Sequence, residues 1–477
     1  MERCEKIMSS KISARGYGIS KDCISDIELL KDELTVKPYT PFELGDTKED
    51  KSFPVYLESS KKLYLPKYFG LRNYGIPDAD EIQEGQPIDV TFKGNLRDYQ
   101  LVPVQVFVDA ARDKKQRGGI LQLPPGWGKT VMALNIIAKL KVKTLIIVHK
   151  DFLLNQWIER IDQYINNASV GIIKQKKTQT DNDIVIASLQ SIAMRNYEPS
   201  VFEGFGMVII DEVHHMGAEV FSRALFKVNF QYSLGLSATV NRKDGLTKVF
   251  KWFLGDIVYK AKPKKSDELD ARIHYYFNSD RSYSNVPLLF NGKPNISRLI
   301  TNICEYKPRT EFIIRELQKI MQKEPDREVI VLSDRRAHLG DIEAALKRVG
   351  YDNIGYYVGG MKQPDLDQSQ EKKFILGTYN MVSEGFDLPK LNTLVLASPK
   401  GDVEQSIGRI QRQLKEDRKN VPLVLDIVDE LSLFINQGNK RKAFYKKKGY
   451  QISEKGKLNN VLKLEKMAFV DIEDEKI

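Results

Sequence analysis

A chain of 477 residues with 42% hydrophobic and 29% charged content is too long for a single core and too mixed for a fibrous or disordered protein, so two or three globular domains are expected. The formal net charge of +10 favours a polyanionic partner, nucleic acid ahead of a membrane surface, although a basic surface also serves solubility. Three scattered cysteines, Cys4, Cys23 and Cys304, give neither a disulfide framework nor a zinc pattern, no apolar run reaches transmembrane length and Met1–Lys11 lacks a signal-peptide core, so an intracellular protein without a membrane partner is expected.

Residues 1–92 carry no phosphate-binding or catalytic motif and read as a small accessory domain. Short strands are expected around Pro54–Leu57 and Lys62–Leu65. Lys61, Lys62, Lys67 and Arg72 alternate with Tyr64, Tyr68, Phe69 and Tyr74. That mixture can grip phosphates and stack bases, but the preferred reading puts the aromatics in a small domain's own core and the lysines in water. Asn95-Leu-Arg-Asp-Tyr-Gln100 then leads into an apolar helix, Val102–Ala111. The Gln100 amide offers a donor and an acceptor together, which is what the edge of an adenine requires.

The next stretch, Leu121-Gln-Leu-Pro-Pro-Gly-Trp-Gly-Lys-Thr-Val131, organises the chain. A buried strand breaks into a glycine turn and resumes as a helix with apolar Val131, Leu134, Ile137 and Ala138. Gly126 and Gly128 allow close approach of the backbone to a polyphosphate, toward which the helix start points its N–H groups. Lys129 would reach the β/γ-phosphates and Thr130 would hold Mg²⁺. Leu123 stands where the full loop pattern has a further glycine.

Strands are expected at Thr144–His149 and Asp183–Ser188. Met207-Val-Ile-Ile-Asp211-Glu212-Val-His214-His215 is an apolar strand delivering two carboxylates to its C-terminal end, where ligands sit in open parallel sheets. Asp211 would hold the Mg²⁺ water shell and Glu212 would polarise the attacking water. The adjacent His214 and His215 have no third partner at metal-ligand spacing. Leu234-Gly-Leu-Ser237-Ala-Thr239 places small hydroxyl residues at another strand end, and the alternation over residues 93–260 reads as a doubly wound α/β domain.

Residues 261–300, with Lys262-Pro-Lys-Lys265, read as a linker or inserted element. The alternation resumes over 301–435 with strands at Glu328–Leu332, Lys373–Gly377, Thr393–Ala397 and Pro422–Val428. A helix is expected over Asp402–Leu414, which would put Gln405, Arg409 and Arg412 on one face at i, i+4 and i+7. Two arginines there could clamp a phosphate in trans or form a solvated basic face. This half has no phosphate loop of its own and suits the second wall of a nucleotide cleft. Residues 436–477, with Lys440-Arg-Lys442 and Lys446-Lys-Lys448, read as a basic tail, of the sort that is solvated more often than bound to phosphates.

Taken together, residues 93–435 resemble a superfamily 2 helicase of the XPB/UvsW-like group. The matching motifs are Leu96-Arg-Asp-Tyr-Gln100, Pro125-Gly-Trp-Gly-Lys-Thr130, Asp211-Glu-Val-His214, Ser237-Ala-Thr239, Gly385-Phe-Asp387 and Gln405-Ser-Ile-Gly-Arg-Ile-Gln-Arg412. The loop Leu123-Pro-Pro-Gly-Trp-Gly-Lys129 and the box Asp211-Glu-Val-His214 are similar to those of this group, which includes the poxvirus transcript-release helicase type, and Arg242-Lys-Asp-Gly-Leu246 is similar to a stretch in helicases of large cytoplasmic DNA viruses. The resemblance implies two tandem RecA-like domains closing on ATP and Mg²⁺, with the small N-terminal domain appended. It implies that Arg97, Gln100, Gly126, Trp127, Gly128, Lys129, Thr130, Asp211, Gly385, Asp387 and Gln405 line the nucleotide. Lys129, Glu212, Arg409 and Arg412 would be catalytic, and His214, Ser237 and Thr239 would couple the site to nucleic acid. The implied partner is DNA, with RNA as the alternative, in transcription, repair or recombination. The implied location is the cytoplasm or virion if viral, and the nucleus or cytoplasm otherwise.

Overall fold

The computed structural model describes residues 9–39, 51–175, 177–239, 244–261, 268–386, 388–413 and 415–457. Arg242-Lys243, Lys262–Lys265 and Asp387 lie outside the described residues. The chain divides into two compact units, Met1–Lys262 and Pro263–Ile477.

The first unit is built on an eight-stranded sheet in the order Lys177–Thr178, Val170–Lys174, Ile184–Ser188, Thr144–Val148, Met207–Ile210, Tyr232–Ser237, Gly118–Gln122 and Ile257–Lys260. Every pairing is parallel except the outermost, between Lys177–Thr178 and Val170–Lys174. Thr144–Val148, Ile184–Ser188 and Met207–Ile210 are buried at every position, as expected of β-branched, apolar strands covered on both faces. Because the strands run parallel, their C-terminal ends share one edge, and that edge receives the phosphate-loop turn, Asp211 and the end of Ser237.

The N-terminal segment forms a five-stranded sheet, Leu57–Glu58, Lys62–Leu65, Gly16–Ser20, Ser10–Ser13 and Ala79–Asp80. Its apolar residues do not make a separate core. Tyr17, Leu63, Leu65 and Phe69 merge with Phe221, Phe250 and Phe253 of the larger layer, and the Phe69 and Trp252 rings meet edge to face at 5.3 Å. Tyr68 and Phe69 are buried and Tyr64 and Tyr74 half-buried, but the core that holds Phe69 is shared with the larger layer, not the separate one expected of a small domain. Lys67 departs from the expected placement in water. It is 4% exposed and donates to the Gln231 carbonyl at 2.7 Å, with burial pushing its ammonium down to about 7. The next residue, Tyr68, shares a hydrogen bond with Ser233 Oγ at 2.7 Å. Both contacts fasten the helix Lys67–Tyr74 to the start of the strand that ends in Ser237.

The second unit is a seven-stranded, all-parallel sheet in the order Ile354–Tyr357, Phe374–Gly377, Val329–Leu332, Thr393–Leu396, Leu423–Asp429, Asp270–Tyr276 and Gln451–Lys455. Two expectations fail here. Asp270–Tyr276, read as part of a linker or inserted element, is a seven-residue strand between two others in the sheet of the second unit. Residues 436–457, read as tail, supply most of the helix Ser432–Lys448 and the edge strand Gln451–Lys455. The physical reason is that polar side chains on these elements have partners remote in sequence. His274 lies 3.2 Å from Glu316, and Lys455 reaches the same carboxylate at 3.2 Å.

Two of the buried arginines in this unit pair with acids that are themselves fully buried. Arg309, 0% exposed, binds Asp429 through Nε and Nη2 at 2.6 and 2.7 Å, and Tyr283 adds its hydroxyl at 2.8 Å. Arg441 holds Asp426 in the same manner. Removing one partner strands the other charge without solvent, a loss of about 3–5 kcal/mol. Asp429→Ala is therefore expected to shift the denaturant midpoint of this unit steeply downward in chemical unfolding. An unchanged midpoint would mean that Arg309 finds water or another acceptor.

Candidate active site

The strand Gly118–Gln122 ends where Leu123 N–H donates to the Ser237 carbonyl at 2.8 Å, and the chain then turns through Pro124-Pro125. Leu123, at the position where the loop pattern has glycine, is wholly buried, so the turn begins one residue later, at Pro124. Gly126 and Gly128 have φ of 78° and 74°, and Gly128 caps the helix Lys129–Leu140. Glycine is required at 128 twice over, since a Cβ there would also lie 2.5 Å from Gln100 Nε2. Gln100 Nε2 donates to Trp127 O at 2.8 Å, and Gln100 Oε1 accepts from Arg97 N–H at 2.9 Å. One amide thus ties the start of the helix Asp98–Arg112 to the loop and keeps a second donor and a second lone pair for a ligand. Tyr99 packs edge to face on Trp127 at 5.1 Å, and Arg97 donates to its hydroxyl at 3.1 Å.

Lys129 Nζ lies 2.6 Å from Glu212 Oε1, so the cation of the loop and the second carboxylate of the Asp-Glu pair converge. Thr130 occupies the same first helical turn. Glu212 has φ 49° and ψ 53°, a left-handed conformation that costs a non-glycine residue roughly 1–2 kcal/mol. Such strain persists where the surroundings fix it, and it concentrates at functional sites. Beside it, Asp211 is 7% exposed, and burial, reinforced by Glu212, pushes its carboxyl up to about 6 against the opposing pull of Lys129 and Trp157. His214 Nδ1 shares a hydrogen bond with Ser237 Oγ at 2.9 Å and lies 3.4 Å from Glu212 Oε2. Ser237 also donates to the Thr239 carbonyl. The three residues expected to couple therefore form one chain of contacts running from Glu212 to the end of the Tyr232–Ser237 strand.

Sequence reasoning missed Trp157. Its indole N–H donates to Asp211 Oδ2 at 3.0 Å from the helix Asp151–Tyr164, and the ring is 2% exposed. The available signal was general: a buried tryptophan needs an acceptor for its N–H. Nothing local in the sequence named Asp211 as that acceptor.

In the second unit, Gly385 ends the helix Tyr379–Gly385. The helix expected over Asp402–Leu414 is shorter, Glu404–Arg409. Gln405 and Arg409 are on it, whereas Arg412 follows its C-cap, Ile410, so the three do not share a helical face. Ile410 is buried at 1%, and the carbonyls of Gln411 and Gln413 accept from the Arg418 guanidinium at 3.4 and 3.0 Å.

Among the described residues no helix is long and apolar enough to cross a membrane. The family described as "Type III restriction enzyme, res subunit" matches residues 93–242, and "Helicase conserved C-terminal domain" matches residues 312–415. A protein of Acanthamoeba polyphaga mimivirus named "Putative ATP-dependent RNA helicase" is 35% identical over 462 residues, covering 94% of this chain and 87% of its own length. One of Invertebrate iridescent virus 6, named "Putative helicase", is 29% identical over 384 residues, covering 76% of this chain and 83% of the relative. Among solved structures, a fragment of a type I restriction enzyme HsdR subunit from Vibrio vulnificus has a TM-score of 0.52 at 18% identity, covering 76% of this chain and 69% of that one, a likeness of fold. Two parallel-sheet units, a lysine-bearing glycine turn facing an Asp-Glu pair, and a viral relative matched along almost the whole chain lead to one assignment: this chain belongs to the superfamily 2 helicases, ATP-hydrolysing enzymes that act on nucleic acid, and is similar to those of large DNA viruses.

Proposed function

We propose that this chain is an ATP-driven translocase on DNA, acting in transcription, repair or recombination. The observation that carries the chemistry is the 2.6 Å approach of Lys129 to Glu212 beside the buried Asp211. A cation at a helix start, two carboxylates at a strand end and an open turn at Gly126, where a Cβ would meet nothing within 4 Å, fit a nucleoside triphosphate with a divalent cation. Lys129 and the loop N–H groups hold the β/γ-phosphates, Thr130 and Asp211 hold the cation, and Glu212 orients the attacking water. A divalent cation held there would neutralise charge on the transferred phosphoryl group. Gln100, with Arg97 and Trp127 around it, would meet the base, and Gly385, Asp387 and Gln405 would contact the nucleotide, as the family resemblance implies. Arg409 and Arg412 supply the positive charge that a loosely bonded phosphoryl group needs. The His214–Ser237 hydrogen bond passes the state of Glu212 to the end of the strand Tyr232–Ser237, and from there to Thr239.

The restriction-enzyme family matched by residues 93–242 supports DNA. The name of the mimivirus relative supports a second reading, an RNA helicase. ATPase rates with single-stranded, duplex and forked DNA and with RNA separate the two, and stimulation by RNA alone would overturn the DNA reading. Binding is expected to track the phosphate backbone, so affinity falls steeply with salt, by a slope of about −0.7 per phosphate neutralised on a single strand, with little dependence on sequence. Salt-insensitive binding in a titration from low to physiological salt would count against a backbone-tracking motor.

A further inference from the structure

The longest connection leaving the strand Asp270–Tyr276 contains a feature that the ATP site does not use. Residues 287–295 form a closed hairpin. Leu288 and Pro294 bridge across it, Leu289 N–H donates to Lys293 O at 2.8 Å, Gly292 N–H donates to Leu289 O at 2.9 Å, and Asn295 N–H donates to Pro287 O at 2.7 Å. Gly292, at φ 72°, makes the reversal possible, and the Asn291 side chain accepts from Lys293 N–H at 3.2 Å. At the apex stands Phe290, with a relative exposure of 113%, and Leu288 below it is 62% exposed. A lone exposed apolar side chain is ordinary. A phenylalanine held wholly in water at the tip of a hydrogen-bonded turn gives up all its burial energy, and the turn holds it there.

The base of the hairpin is fixed on both sides. Before it, Tyr283 is fully buried and bonded to Asp429. After it, Asn295 caps the helix Ile296–Glu305, and Arg335 donates to Ser297 O at 2.8 Å and to Thr301 Oγ1 at 2.9 Å, latching that helix to the loop that follows the strand Val329–Leu332. The hairpin therefore rises from the C-terminal edge of the parallel sheet, the same edge from which the segments bearing Gly385 and Gln405 leave. Over residues 277–298 the sequence carries one acid, Asp280, already engaged by Ser282 and Tyr306, against Arg281, Lys293 and Arg298, all exposed. Exposed cations close in sequence to an exposed aromatic tip suit a nucleic-acid strand, which offers phosphates on its outside and a base to stack.

We infer that Phe290 is a base-stacking contact through which this helicase separates strands, with Lys293 beside it meeting the backbone. The inference rests on the nucleic-acid helicase reading and adds a residue and a surface to it. A stack on the base at a junction occupies the face that the next base pair would use, so an advancing motor leaves the pair broken. Because one aromatic face accepts any base, the contact adds no sequence choice.

The test uses the full chain as wild type, Phe290→Ala and Phe290→Trp, on forked duplexes of DNA and of RNA carrying single-stranded tails on both sides. With Phe290→Ala, unwinding is expected to fall on the order of tenfold or more, and turnover without nucleic acid is expected to stay within about twofold of wild type. Phe290→Trp is expected to unwind normally, and the introduced indole should lose emission on adding oligothymidylate beyond the change seen with wild type. Wild-type unwinding by Phe290→Ala overturns the inference. So does loss of unwinding in Phe290→Ala without the added quenching in Phe290→Trp, which would mean that the ring supports the hairpin and does not meet a base. If wild type itself shows no turnover response to any nucleic acid, the helicase reading fails, and that outcome is distinct from either result at Phe290.

Discussion

Lys129→Ala is expected to lower ATP turnover on the order of a thousandfold while the protein remains folded. Lys129 starts its helix, contributes no apolar packing, and has its Nζ spent on Glu212 at 2.6 Å. On the proposed role, removing it takes away the positive charge that would meet the phosphates as charge shifts during transfer. It also removes one of the groups opposing burial at Asp211, so that carboxyl rises further above about 6 and holds its proton to higher pH. Both effects weaken the site, and neither touches the core. Lys129→Arg keeps the charge but replaces a compact ammonium with a wide planar fork, and it too should be severely impaired. Steady-state turnover beside a thermal unfolding scan decides the matter. Wild-type turnover in the alanine variant would remove Lys129 from the chemistry, and a collapsed unfolding transition would show that the 129–212 pair is structural.

What the sequence carried follows from how local each feature is. A phosphate loop is a strand end, a turn and a helix start in one short stretch, and its φ requirements are written as Gly126 and Gly128. The Asp211-Glu212 pair was equally legible, because a fully apolar strand before two acids permits few other placements. The strain at Glu212 and the indole of Trp157 on Asp211 were not legible, since each is fixed by tertiary contacts. Segments with mixed polarity misled. Asp270–Tyr276 interrupts its apolar residues with Arg272 and His274, whose acidic partners include Glu324 and Glu316, and only those partners make the strand readable. The edge strand Gln451–Lys455 is almost entirely solvent-facing and has no apolar alternation to find. Periodicity over-extended the helix at Glu404–Arg409 because it cannot see that Ile410 turns into the core or that Arg418 takes up the carbonyls beyond it.

That early helix end sharpens the test of Arg412. On a continued helix, Arg409 and Arg412 would sit nearly one turn apart as neighbours on one face. With Arg412 past the C-cap, its position is set instead by an irregular segment that Arg418 holds through two carbonyls. The two arginines can then do separate jobs. If Arg412 meets the transferring phosphoryl group, Arg412→Ala should suppress single-turnover hydrolysis roughly a thousandfold or more, the scale of an arginine finger. ATP affinity, set mainly by the glycine turn and Lys129, should fall only modestly. Arg412→Lys should rescue little, because a point-like ammonium cannot reproduce two parallel N–H donors. Arg409→Ala, measured alongside, shows whether the charge is shared, since loss of one of two cooperating arginines gives comparable defects in both variants and no further loss in the double variant. Nucleotide titrations with single-turnover rates read out both quantities at once. Near-wild-type hydrolysis in Arg412→Ala, with a severe defect in Arg409→Ala, would move the finger to Arg409 and leave Arg412 as part of a solvated basic surface.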